Sequence, residues 1–131
     1  MSNAARTMIG FGIYMAATGL VLAVAPNVLL PLLGLPPTDE PWIRLLGAFM
    51  IVVAYYYYRC AIAEQVAFFR ATVHGRMAIA IFLLGLAVVL PATVLVLFAA
   101  MEVAGALVTA RALGSSAGRA AVVESAGRAE R

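Results

Sequence analysis

The residue whose type and place could carry chemistry is Glu102, the first charge after the uncharged run from Met77 to Met101. Gly105, Ala106 and Thr109 follow it at i+3, i+4 and i+7, so a helix presents the acid, two small residues and a hydroxyl on one face. Near the middle of a helix predicted from about Ala92 to Ala112, Glu102 lies about 15 Å from either end at 1.5 Å per residue. An acid at that depth in a bilayer costs about 2–4 kcal/mol, so it is expected to be neutral, paired or turned to a polar cavity. Such a carboxyl can hold a ligand's head group or handle a proton. The plainer role is a hydrogen bond that glues helices together. Tyr14 and Thr18, four apart, offer a second polar face, with Thr18 at similar depth. Arg44, Gly47, Ala48, Ile51, Tyr55 and Tyr58 form a third stripe at helical spacing. The expected polar interior therefore comprises Glu102, Arg44, Tyr14, Thr18, Thr109 and Tyr55. Arg44 lies close to one interface, where its long stem lets it either snorkel outward or pair with Glu102 or an anionic ligand.

Other chemically capable residues point elsewhere. His74 has no neighbouring Cys or Asp, which fits an interfacial hydrogen bond and not a metal site. Tyr55 to Tyr58 point to all sides of a helix and suit an aromatic belt, leaving Tyr55 and Tyr58 as pocket candidates. Arg70 and Arg76 read as topology signals at a membrane face. Cys60, the only cysteine, permits no internal disulfide and is an acylation candidate at most. No catalytic triad or Gly-rich phosphate loop is present. The chain is expected to need no cofactor or metal and leans away from being an enzyme.

The elements that must position these residues are membrane helices. Hydrophobic residues make up 65% of the 131, charged ones 11%, and the mean hydropathy is +1.03, whereas soluble domains are about 45–50% apolar. The expected fold class is an all-α integral membrane four-helix bundle. Met8 to Ala25 is predicted as an uncleaved first helix rather than a signal peptide: Pro26 would follow the cut, and the apolar run outlasts the usual 7–15 residues. Val28 to Leu35, interrupted by Pro31 and Gly34, is too short to span and is expected to lie at the interface or fold back. Thr38 or Asp39 is expected to cap a second helix over 41–61, with Pro41 in its first turn and Trp42 at its outer end. A third helix is predicted over 72–89 after an interfacial turn holding Phe68 and Phe69, and a fourth over 92–112.

Arginine placement orients the bundle. With four spans and both termini cytoplasmic, Arg6, Arg59, Arg70, Arg76, Arg111, Arg119, Arg128 and Arg131 lie inside and only Arg44 outside, eight to one. With three spans the ratio is four to five, which the positive-inside rule disfavours. Residues 114–131, rich in Gly, Ser, Ala and Arg, are expected to form a flexible cytoplasmic tail. The arginines sit at span edges and in the tail without interleaved aromatics, which argues against nucleic acid as a partner.

Pro31-Leu32-Leu33-Gly34-Leu35-Pro36, Trp42-Ile43-Arg44-Leu45-Leu46-Gly47 and Tyr55 to Tyr58 resemble a group of small four-span bacterial inner-membrane proteins, similar in architecture to the DoxX-like family. The likeness continues through Phe68-Phe69-Arg70-Ala71-Thr72-Val73 with Arg76, and through Glu102 to Thr109. It covers roughly Arg6 to Leu113. That group commonly has aspartate where this chain has Glu102, and tryptophan where it has Val108. The resemblance implies the bacterial inner membrane, and some DoxX-like proteins are associated with quinone-linked sulfur oxidation. The expected function is a non-enzymatic accessory subunit or binding protein, in contact with lipid and with a further copy or a partner membrane protein. The alternative is a carrier or a lipid- or quinone-handling enzyme centred on Glu102, with an amphiphilic ligand.

Overall fold

A computed structural model describes residues 1–90 and 92–129, with side chains described as far as Ser115. It is 86% helical, and no strand occurs among the described residues. Four helices are long and apolar enough to cross a membrane, which makes the chain a multi-pass membrane protein by length and composition. They are α1 (Asn3–Val24), α3 (Pro41–Ile62), α4 (Val66–Val89) and α5 (Thr93–Ala129), whose apolar part is Thr93–Ser115. A short helix α2 (Pro26–Leu29) and a 3-10 turn (Pro31–Leu33) join α1 to α3. The uncharged stretch from Met77 to Met101 is thus divided between two helices, which turn between Val89 and Thr93.

The helices begin earlier than apolar runs alone suggest. Ser2 caps α1, its hydroxyl accepting from the Ala5 backbone at 3.1 Å, so the helix starts at Asn3 instead of near Met8. α4 starts at Val66 instead of 72 and carries Phe69 inward, where it is fully buried with Met8, Tyr57 and Ala61. The cap of α3 is Glu40, neither Thr38 nor Asp39, and Pro41 occupies the first turn. Thr38 instead accepts from the Glu40 backbone through its hydroxyl. Past Leu113 the backbone of α5 stays helical as far as Ala129, where the sequence led us to expect a flexible tail from 114. Ala, five of the sixteen residues from Gly114 to Ala129, is the strongest helix former. The rest of the tail expectation falls on side chains, and on Glu130 and Arg131, outside the described residues.

α1 is the hub. Its main partner is α3, the other strong pairing is α4 with α5, and α1 also packs on α5. The α1–α3 crossing rests on Gly19 and Gly47: a Cβ on Gly47 would lie 2.5 Å from the Gly19 carbonyl oxygen and 2.5 Å from the Ala23 nitrogen. Backbones approach this closely in membranes only where side chains are absent. We call the end with Ser2, Ile62 and Val66 the basic end, since Arg6, Arg59, Arg70 and Arg111 lie toward it, and the opposite one the Trp42 end.

Each end is tied by polar contacts. At the basic end Glu64, in the turn between α3 and α4 at φ 50°, accepts from the Ser2 hydroxyl and the Ser2 backbone N–H, both at 2.6 Å. Those bonds hold the exposed Glu64 carboxyl below the usual carboxylate range. At the Trp42 end, Asn27 accepts from the Thr38 backbone at 2.8 Å. Gly34, at φ +72°, takes the left-handed conformation that turns the 3-10 segment back toward α3.

Candidate functional site

The segment from Pro26 to Leu35 roofs a cavity of about 330 Å³ in the Trp42 half of the bundle. Leu29, Leu30, Leu33 and Leu35 cover it from the loop, Leu22 and Met15 line it from α1, and Trp42, Ile43, Leu46 and Met50 from α3. α4 contributes Leu83, and α5 contributes Phe98 and Glu102. The loop holds this position because Leu30, 4% exposed, packs with Leu22 and Ile43. The expectation of an interfacial or re-entrant segment is thereby sharpened: the piece too short to span closes over the helices. The lining is apolar apart from Tyr14, Thr18 and Glu102, and all three belong to α1 and α5. Ligand cavities commonly have this character, a mostly apolar wall with a few polar groups that fix orientation.

Behind Glu102 lies Arg76, 4% exposed, with its Nε 4.0 Å from Glu102 Oε2. That separation is an ion pair and too long for a hydrogen bond. The guanidinium carbon lies 3.4 Å from the centre of the Phe11 ring and 5.5 Å from that of Tyr57. Stacking of this kind attracts a cation to the ring's electron-rich face. A Cβ on Gly105 would lie 2.5 Å from Arg76 Nη1, so the missing side chain there makes room for the guanidinium. Arg76 was expected to be a topology signal at the membrane face; the early start of α4 corrects this. Ten residues separate Val66 from Arg76, or about 15 Å of helix.

The six residues expected to share a polar interior divide into separate places. Glu102, Tyr14 and Thr18 meet at the roofed cavity. Tyr14 also donates to the Met101 sulfur at 3.8 Å. Thr109 is buried nearer the basic end, its hydroxyl 3.1 Å from that of Thr7, on the wall of a second cavity that Arg76 also lines. Arg44 does not reach Glu102. Its Nη1 donates to the carbonyls of Ala23 at 2.9 Å and Val24 at 2.7 Å, closing the last turn of α1. Tyr55 lies on a different face, 53% exposed, where its hydroxyl accepts from Arg59 at 3.0 Å. The tyrosine that turns inward is Tyr57, stacked against Phe11 and edge-on to Phe68. His74 is exposed near Arg70 on a shallow basic-end surface.

Residue-by-residue reasoning missed Arg76, Phe11 and Tyr57. A signal for Arg76 was available. Folding the chain about Pro91 places Arg76 fifteen residues before the turn and Glu102 eleven after it. Four residues of helix are about 6 Å, within the reach of an arginine side chain.

The arrangement can hold an elongated apolar molecule beneath the loop and offer its polar end a carboxyl and two hydroxyls. It contains no nucleophile activated by a neighbouring base among the described residues. No family model matches the chain, and no curated protein or solved structure matches it.

Proposed function

We propose that the protein is a small binding protein of the bacterial inner membrane, DoxX-like in architecture and with both termini cytoplasmic, that takes an amphiphile between its helices. The apolar body lies beneath the Pro26 to Leu35 roof, and a hydrogen-bonding head group meets Glu102, Tyr14 and Thr18. The observation that carries this reading is the 330 Å³ cavity whose polar groups gather on one wall. A lipid-filled bundle would satisfy its packing with apolar side chains alone; a carboxyl at mid-span is costly and is retained where it has a task. The protein acts by binding, in company with a second copy or a membrane partner, and not by turnover. The alternative of a quinone- or lipid-handling enzyme shares the same cavity and would add catalysis at Glu102.

Trp42 is the only tryptophan and lines the cavity, so it reports on occupancy. In nanodiscs, bromododecanol is expected to quench Trp42 with a saturable component. Glu102→Gln should weaken that component about tenfold or more, since a hydrogen bond to a charged group contributes about 1.5–3 kcal/mol. Quenching that rises linearly with bromododecanol, or a folded Glu102→Gln protein with unchanged affinity, would overturn the proposal. Lipids co-purified from the native membrane and identified by mass spectrometry would name the ligand.

A further inference from the structure

We infer that Arg76 forms a second binding site, for the oxyanion head of a single-chain amphiphile, in the groove between α1 and α5. This goes beyond the roofed cavity and does not depend on it. The groove encloses about 400 Å³ and is lined by Thr7, Gly10, Phe11, Arg76, Gly105 and Thr109 among others. Arg76 is its only charged wall residue among the described residues, and it is 4% exposed.

None of the three guanidinium nitrogens has a hydrogen-bond partner among the described residues. The stacking on Phe11 engages the flat face of the group and leaves its N–H edge unused. Glu102 stands on the Nε side at 4.0 Å, which leaves Nη1 and Nη2 as a two-pronged donor. That pair matches the two oxygens of a carboxylate or a phosphate. A buried cation with unused donors is costly, and an intramembrane arginine in this condition is a binding site by default. Small residues stand beside it: Gly10 and Ala104 line the same groove, and the space left by the missing Gly105 side chain holds Nη1. Thr7 donates its hydroxyl hydrogen to the Ala4 carbonyl at 2.7 Å, so Thr109 donates to Thr7 and the guanidinium is left as the groove's donor to an incoming oxyanion. The rest of the wall is apolar, with Met101 and Val108, apart from Tyr14, which also lines the roofed cavity, and this suits a hydrocarbon chain behind the charged head.

The test uses the full chain in nanodiscs of neutral phosphatidylcholine, titrated with laurate, dodecyl phosphate, dodecanol and acetate and followed by calorimetry. Laurate or dodecyl phosphate should bind saturably and at least tenfold more tightly than dodecanol; the tighter of the two identifies the head group. Arg76→Met should lose at least tenfold in anion affinity, and Arg76→Lys, which keeps the charge without the two-pronged donor, should lose less. Should Arg76→Met not fold, Gly105→Ala serves in its place, because the added Cβ displaces Nη1 and predicts a similar loss. Dodecanol binding as tightly as laurate, a folded variant with unchanged anion affinity, or acetate competing at equal concentration would each overturn the inference. Saturable anion binding without Trp42 quenching would uphold this site and sink the roofed-cavity proposal.

Discussion

Arg44 and Arg76 meet the cost of a cation among apolar helices in opposite ways. Arg44 spends its donors on the last carbonyls of α1, a helix end that would otherwise leave four acceptors open. Its positive charge also complements the negative end of the helix dipole. Arg76 stacks on an aromatic face and keeps its donors free. The first is therefore a structural residue, although the sequence placed it among the polar-interior candidates, and the second, read from the sequence as a topology signal, is the one proposed above to bind. Arg44→Gln should lower stability by about 1 kcal/mol through loss of the α1 cap. In thermal unfolding in detergent it should leave bromododecanol affinity within twofold of wild type. A tenfold loss of affinity in that variant would place Arg44 in the binding site after all. Glu102 was legible as a lone acid in an apolar stretch, and Tyr14 and Thr18 were legible from their spacing. Arg76 was not, because a charge near a predicted span edge looks interfacial until the true start of the helix is known.

At the scale of the element, the long helices followed from apolar length, and their number from the arginine count that favours four spans over three. The faces did not. The stripe read on α3 from Arg44 to Tyr58 followed polarity, whereas the buried face runs through Ile43, Gly47, Ala54, Tyr57 and Ala61. The two share Gly47 and then diverge by one residue, about 100° around the helix. Polarity misleads here because lipid accepts apolar residues on every face, so hydrophobicity carries no information about which side is buried. Close approach does. The Gly19–Gly47 contact fixes the rotation of α3 against α1, and Gly47→Ala should test it directly. Its Cβ meets backbone atoms on α1, which cannot swing aside as a side chain can. We expect a loss of about 1–3 kcal/mol in thermal unfolding, as for other overpacked contacts. Gly85→Ala, where an added Cβ meets nothing within 4 Å, is the control and should be neutral or slightly stabilising. Equal stability of the two variants would show that the crossing is looser than described.

At the scale of the whole molecule, the orientation rests on charge asymmetry between two ends. The burial of Arg76 removes one member from the count, since a residue stacked inside the bundle exerts no pull at the surface. The sequence-based count for the proposed orientation then falls from eight arginines to seven against Arg44, and the preference is unchanged in direction. In that proposed orientation Arg44 is the one exception, and its bonds to the α1 carbonyls give it a structural task at that end. Cys60 makes the orientation measurable, because replacing it with serine leaves a chain without thiols. In that background Thr38→Cys, in the exposed turn before α3, should react with a membrane-impermeant maleimide in intact spheroplasts. Ser115→Cys, exposed at the basic end, should react only after the membrane is permeabilised. Labelling of Ser115→Cys from outside, with Thr38→Cys protected, would invert the bundle. The Pro26 to Leu35 loop, with the cavity beneath it, would then lie at the cytoplasmic face.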